Sequence, residues 1–190
     1  MILTDSHCHL DVEQFKDDIE KVIENARDAG VKKIITNGVD EKSNRKSIEL
    51  ASRYDIVDAA FGAYPIDALE EEKKEAGEIE EGEHIDVNSM FLHIEDNIEK
   101  AVAIGEVGLD LYTGKDLESQ RKIFSRILEL AKRKHKPVIV HSRKAEKETL
   151  EEIEKSGIDK KKVVLHCFSG KKKLIREACN KGYLFTIPTN

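Results

Sequence analysis

The stretch KPVIVHSRKAEKETLEEIEKSGIDKKKVVLHCFSG, residues 136–170, decides the fold. Its two apolar runs, VIV and VVL, are short, β-branched and continuous, as strands covered on both faces require. Between them a helical pattern centred on Leu150 and Ile153 runs to a stop at Gly157. Strand, helix, strand in this span is a parallel crossover unit. Each strand ends on a histidine, His141 and His166.

The same rhythm extends in both directions. Upstream, an opening strand leads to His9, and Phe15, Ile19, Val22, Ile23 and Ala26 share one helical face before Gly30. VKKIITNGV, DIVDAAFGA and AVAIGEVGL read as further strands, with SNRKSIELASRY as a helix between the first two. Gln120, Ile123, Phe124, Ile127 and Ala131 mark the helix before the quoted stretch. Downstream, Leu174, Ile175 and Ala178 mark another helix, followed by Gly182 and YLFTIPT. The pass gives seven strands separated by helical segments, read as one domain over residues 1–190.

Two architectures alternate strands and helices in this way. An open doubly wound sheet favours a glycine-rich phosphate turn after its first strand, and the chain has none. His7, His9, Glu106, His141 and His166 instead fall at the ends of the first, fourth, fifth and sixth strands. Only a closed barrel gathers those ends round one centre, on the face where barrel enzymes keep their sites. The expected fold is therefore an α/β chain of the (β/α)8 TIM-barrel type with seven of its eight strands present.

Composition sets the remaining bounds. Charged residues make up 37% of the chain, above the usual quarter, a Lys and Glu enrichment common in hyperthermophile proteins. A net charge of −6 excludes a protein that coats nucleic acid through a broad basic face, while allowing a local basic patch. No run has the length of a membrane span, and the start lacks the basic flank and apolar centre of a signal peptide, so the expected location is cytoplasmic. Cys8, Cys167 and Cys179 lack zinc-knuckle spacing and read as reduced thiols. The oligomeric state is left open.

Four histidines and one carboxylate on one rim are a ligand set for two divalent ions such as zinc or manganese. A pair of ions about 3.5 to 4 Å apart activates water at neutral pH and neutralises a phosphate. At these residues the chain resembles the TatD-type deoxyribonucleases, a metal-dependent hydrolase family with an amidohydrolase-like barrel. The motifs are DSHCHL at 5–10, GEVGLDL at 105–111, PVIVHSR at 137–143 and LHCFSG at 165–170. The resemblance implies that His7 and His9 hold one ion, His141 and His166 the other, and Glu106 bridges them. It also implies Mg, Mn or Zn as cofactors and cleavage of phosphodiester bonds in DNA, often from a 3′ end.

The sequence departs from the family pattern twice. Tyr64 stands in FGAYPID where the family carries a histidine before proline, and it is a candidate phosphate contact. The family aspartate at the end of an eighth strand has no counterpart, since the sequence ends at Asn190. From the usual size of such barrels, about 200 to 250 residues, a further stretch of roughly 50 to 70 residues carrying that strand is expected. Without the aspartate, the ion of His7 and His9 is expected to bind more weakly than that of His141 and His166.

Other residues complete the expectations. Glu106 and Asp110 are the candidate catalytic carboxylates, with Asp110 either supporting a ligand from behind or capping a helix. Asp5 is expected to orient an imidazole. Arg143 and Lys171 are placed to hold a phosphate backbone, and Lys172 and Lys173 are as well read as a solvated helix start. His84 and His93 read as solvated, the run 70–83 as an exposed helix face or insertion, and His135 as part of the opposite, structural face. Cys8 and Cys167 should turn away from the ions and pack as small apolar groups. Alternatives to DNA are a small amide, lactone or phosphotriester, and a third reading is a metal-binding barrel without turnover.

Overall fold

In the computed structural model, residues 2–65, 69 and 86–187 are described. Seven strands form one sheet: β1 (Leu3–Cys8), β2 (Val31–Asn37), β3 (Val57–Ala63), β4 (Ala101–Gly108), β5 (Val138–His141), β6 (Val163–Leu165) and β7 (Leu184–Phe185). All neighbours are parallel, and spatial order equals chain order. Helices α1 (Ile19–Asp28), α2 (Glu41–Arg53), α3 (Val87–Asn97), α4 (Leu117–Lys134), α5 (Glu146–Ser156) and α6 (Lys172–Asn180) lie between them. The sheet curls strongly. His7 at the end of β1 stacks on His166 just past β6, ring centroids 3.5 Å apart, although four strands separate the two in the sheet.

Alternation along each strand builds two layers. On the convex side Phe61, Ile104, Val107, Val138, Val140, Val163 and Leu165 meet Phe124, Ile127 and Leu128 of α4 and Ile153 of α5, all fully or nearly fully buried. A second cluster joins Ile19 and Ile23 of α1 and Leu50 of α2 to Ile34 and Val57. On the concave side Ala60, Ala103 and Ile139 pack with Ile35 and Val164, a small apolar plug beneath the rim. These strands are buried on both faces, as their continuous apolar runs require.

Helix ends follow local chemistry. Asp40 accepts from the backbone N–H of Ser43 while Ser43 Oγ accepts from that of Asp40, a capping box that starts α2. Gly157 closes α5 with a φ of 67°. His135 closes α4 in the left-handed region, its N–H donating to Ala131 and Lys132 carbonyls, which gives it the structural place expected at the base of the barrel.

Two expectations for the acidic connection are corrected or left aside. His93 is buried rather than solvated: it lies on α3 and packs near Phe61, because α3 carries an apolar face of Met90, Phe91 and Ile94 against the sheet. His84 and the run 70–83 lie outside the described residues. Among the described residues, no helix is long and apolar enough to cross a membrane.

Candidate metal centre

Glu106 stands at the centre, and an irregularity of β4 puts it there. Ile104 and Val107 both face the outer core, three positions apart where strict alternation allows two or four. The register with β5 shifts between them, as it does against β3 between Phe61 and Ala63. The extra residue turns the Glu106 side chain to the concave rim. Its own N–H donates to Gly38 O at 3.0 Å. That close approach needs Gly62 alongside, where a Cβ would stand 2.1 Å from Gly38 O and 2.5 Å from Glu106 N. Asn44 of α2 holds Gly62 by both backbone groups, accepting from its N–H at 2.8 Å and donating to its carbonyl at 2.9 Å.

The two oxygens of Glu106 face different histidines. Oε2 lies 3.1 Å from His7 Nε2 and 3.2 Å from His9 Nε2, and Oε1 lies 2.7 Å from His141 Nδ1. Ligand atoms of His7, His9 and Glu106 all fall within 4.8 Å of one another. Burial raises the Glu106 carboxyl, but its contacts with His141, His7 and His9 outweigh this and hold it well below the usual carboxylate range. Burial lowers His9 and His141, and the facing carboxylates overcome it and raise both. His166 goes the other way, to about 4, through burial and the neighbouring His7.

Backbone and side-chain partners fix which nitrogen each ring presents. His9 Nδ1 meets the Asn37 carbonyl at 2.8 Å, leaving Nε2 toward Glu106. His141 Nε2 meets Asp110 Oδ2 at 2.9 Å, leaving Nδ1 toward Glu106. Tyr64 donates its hydroxyl to the same Asp110 oxygen at 2.9 Å and lies 3.2 Å from His141 Nε2. Asp110 is itself fully buried; burial raises its carboxyl, but donors from the Thr113 backbone, Tyr64 and His141 bring the net value down. His7, Cys8, His9, Val39, Tyr64, Glu106, His141 and His166 line one cavity at this rim.

A divalent ion fits these residues. His7 Nε2 is a buried nitrogen that lacks a hydrogen-bond partner among the described residues although a carboxylate oxygen is 3.1 Å away, the situation of a donor atom aimed at a shared point. Imidazole nitrogens and a carboxylate are the donors that zinc and manganese take.

The structure thus brings His7, His9, Tyr64, Glu106, Asp110 and His141 into one contact network, with His166 stacked on His7. Asp110 sits behind His141 and does not line the cavity. Arg143 places its guanidinium 3.6 Å over the Tyr112 ring, and Lys171 is the residue before α6; neither lines the cavity. Asp5 accepts from the His7 backbone N–H at 3.1 Å rather than from a ring. Cys8 packs against the second cluster with its Sγ toward the Ile35 carbonyl but also lines the cavity, so it is not turned wholly away from the site, and Cys167 is exposed at a φ of 42° rather than packed. Sequence reading missed Asn37, Asn44 and Gln120. For Gln120 a signal existed, a polar residue on the apolar stripe of its helix.

A curled parallel α/β sheet whose strand ends set histidines round one buried carboxylate defines the class of metal-dependent barrel hydrolases. Within that class the chain belongs to the TatD related DNase family, whose profile matches residues 4–190. It is 31% identical over 187 residues to the uncharacterized metal-dependent hydrolase YabD of Bacillus subtilis, covering 98% of this chain and 68% of that protein. It is 33% identical over 192 residues to deoxyribonuclease TATDN3 of Homo sapiens, with the same coverage of 98% and 68%. Among solved structures it resembles the TatD homolog YjjV of Escherichia coli, with a TM-score of 0.79, 28% identity and coverage of 96% and 66%. The chain spans about two thirds of the length of these relatives.

Proposed function

We propose that the chain hydrolyses phosphodiester bonds in DNA, working from a strand end, with two divalent ions held by His7, His9, Glu106, His141 and His166. The observation that carries this reading is the two-sided carboxylate: Glu106 turns one oxygen to His7 and His9 and the other to His141. The name deoxyribonuclease borne by a relative at 33% identity supports DNA as substrate. Mg, Mn or Zn bound there would lower the pKa of water and offset the negative charge of a phosphodiester.

The chain's own residues do the rest. Glu106 keeps its negative charge at neutral pH because its histidines hold the carboxyl well below the usual range. The Asn37 carbonyl and Asp110 set the ring nitrogens of His9 and His141 and keep the donor atoms directed inward. Tyr64 lines the cavity and is assigned a substrate contact there, although its hydroxyl proton is given to Asp110, so a phosphate oxygen would have to compete with that carboxylate for it. Arg143 and Lys171, both exposed, are assigned to the phosphate backbone further along the strand. Three unpaired cysteines suit a reducing, cytoplasmic setting.

The test is purified protein with added Mn or Mg on end-labelled single- and double-stranded DNA, with a TatD-family nuclease in parallel. Chelator-sensitive shortening of the DNA is expected. Intact DNA beside an active control refutes the nuclease reading, and turnover of small esters or lactones alone moves the substrate to that class.

A further inference from the structure

Asp110 lies just beyond β4, where the sheet stops supplying partners to both sides of the main chain. Its neighbours still run beside β5: Leu109 N–H donates to His141 O at 3.2 Å, and Leu111 N–H to Arg143 O at 3.0 Å. The intervening N–H and C=O of Asp110 point the other way, as strand alternation demands. Gln120, in the first turn of α4, takes both. It accepts from Asp110 N–H at 2.8 Å and donates to Asp110 O at 3.0 Å. Asp110 and Gln120 are both fully buried, so without this amide two main-chain groups would be left unpaired.

The carboxylate end is fixed just as fully. Oδ1 accepts from the N–H groups of Tyr112 and Thr113, each at 2.8 Å. Oδ2 meets Tyr64 and His141, each at 2.9 Å. A carboxylate so held has one direction in which to meet the His141 ring. It engages Nε2 and leaves Nδ1 to face Glu106 Oε1. Outer partners of this kind set ring orientation and ligand basicity, and losing one weakens ion affinity roughly 10- to 100-fold.

We propose that Gln120 is a positioning residue for the ion of His141: its side-chain amide replaces the missing strand partner of Asp110 and so fixes the ring of His141. The inference rests on the reading of His141 as an ion ligand. Calorimetric titration of Mn into the metal-free protein tests both, using Gln120→Met, which keeps volume and removes the amide, with His141→Ala and His7→Ala as references. Gln120→Met, one step further from the ion than Asp110, should weaken severalfold, up to about 10-fold, the ion that His141→Ala abolishes. It should spare the ion that His7→Ala abolishes, and add no loss on the His141→Ala background. If Gln120→Met does not fold, Gln120→Leu gives the same readout, since it too removes both the acceptor for Asp110 N–H and the donor to Asp110 O. Wild-type binding by the Gln120 variant while His141→Ala loses an ion overturns the positioning role alone. Equal weakening of both ions, the mark of general loosening, overturns it too. Two ions bound normally by His141→Ala remove the ligand reading and the inference with it.

Discussion

Replacing Glu106 by glutamine keeps the shape of the centre and removes its charge, and the metal-free protein should reveal what that charge contributes. Glu106 is lowered in the fold from an ordinary 4.5, so its contribution is present above that value and lost as pH falls through the folded one. His9 and His141 are raised from 6.5, so theirs is complete below 6.5 and lost as pH rises through their folded values. The contacts of Glu106 with His9 and His141 therefore stabilise most between about pH 4.5 and 6.5, a gain that His166, lowered to about 4, offsets as pH falls below 6.5. Two charge-assisted hydrogen bonds, at 2.7 Å to His141 and 3.2 Å to His9, are in play. At about 1.5–3 kcal/mol each, less the burial cost that the neutral amide no longer carries, the substitution should lose about 2–4 kcal/mol in that window and less as pH rises through the folded values of the two histidines. Urea unfolding with chelator present, at half-unit steps from pH 4.5 to 8.5, measures the difference directly. A wild-type minus variant difference that stays flat across the series would refute the claim that the carboxylate and its histidines are ionised against each other.

Two further outcomes follow from the strands around this carboxylate. Asn44→Ala strips the buried N–H and C=O of Gly62 of their partner, and denaturant unfolding should show a loss of about 2–5 kcal/mol. Gly108→Ala puts a Cβ 2.0 Å from His141 O at a φ of 144°, so the end of β5 must shift; Mn affinity measured by calorimetry should fall together with thermal stability.

The strand order and the rim were legible because both depend on short-range pattern. VIV and VVL are apolar on both faces, and His141 and His166 sit directly after them, so burial and position could be read from spacing alone. The direction of Glu106 was not readable in this way, since it depends on an extra residue in β4 and a period-two pattern is blind to that. His93 misled for a related reason. Its segment looked acidic and solvated, while the apolar face that buries it, Met90, Phe91 and Ile94, follows helical spacing further along. Asn37, Asn44 and Gln120 serve through backbone groups of other elements, and a polar letter in a sequence does not say which main chain it will meet.

The stacking of His7 on His166 has a consequence for how the chain assembles. Every sheet contact joins strands next to each other in sequence, so the layers can form progressively from the N-terminus as local units with modest closure cost. The rim is different: residues 7 and 9 must meet 106, 141 and 166, and those meetings exist only after the sheet has bent round on itself. An ion held by His7, His9 and Glu106 would act as a clasp on that bend, tying the first strand to the fourth. Its loading would then mark the moment at which a growing ribbon of strands becomes an enzyme.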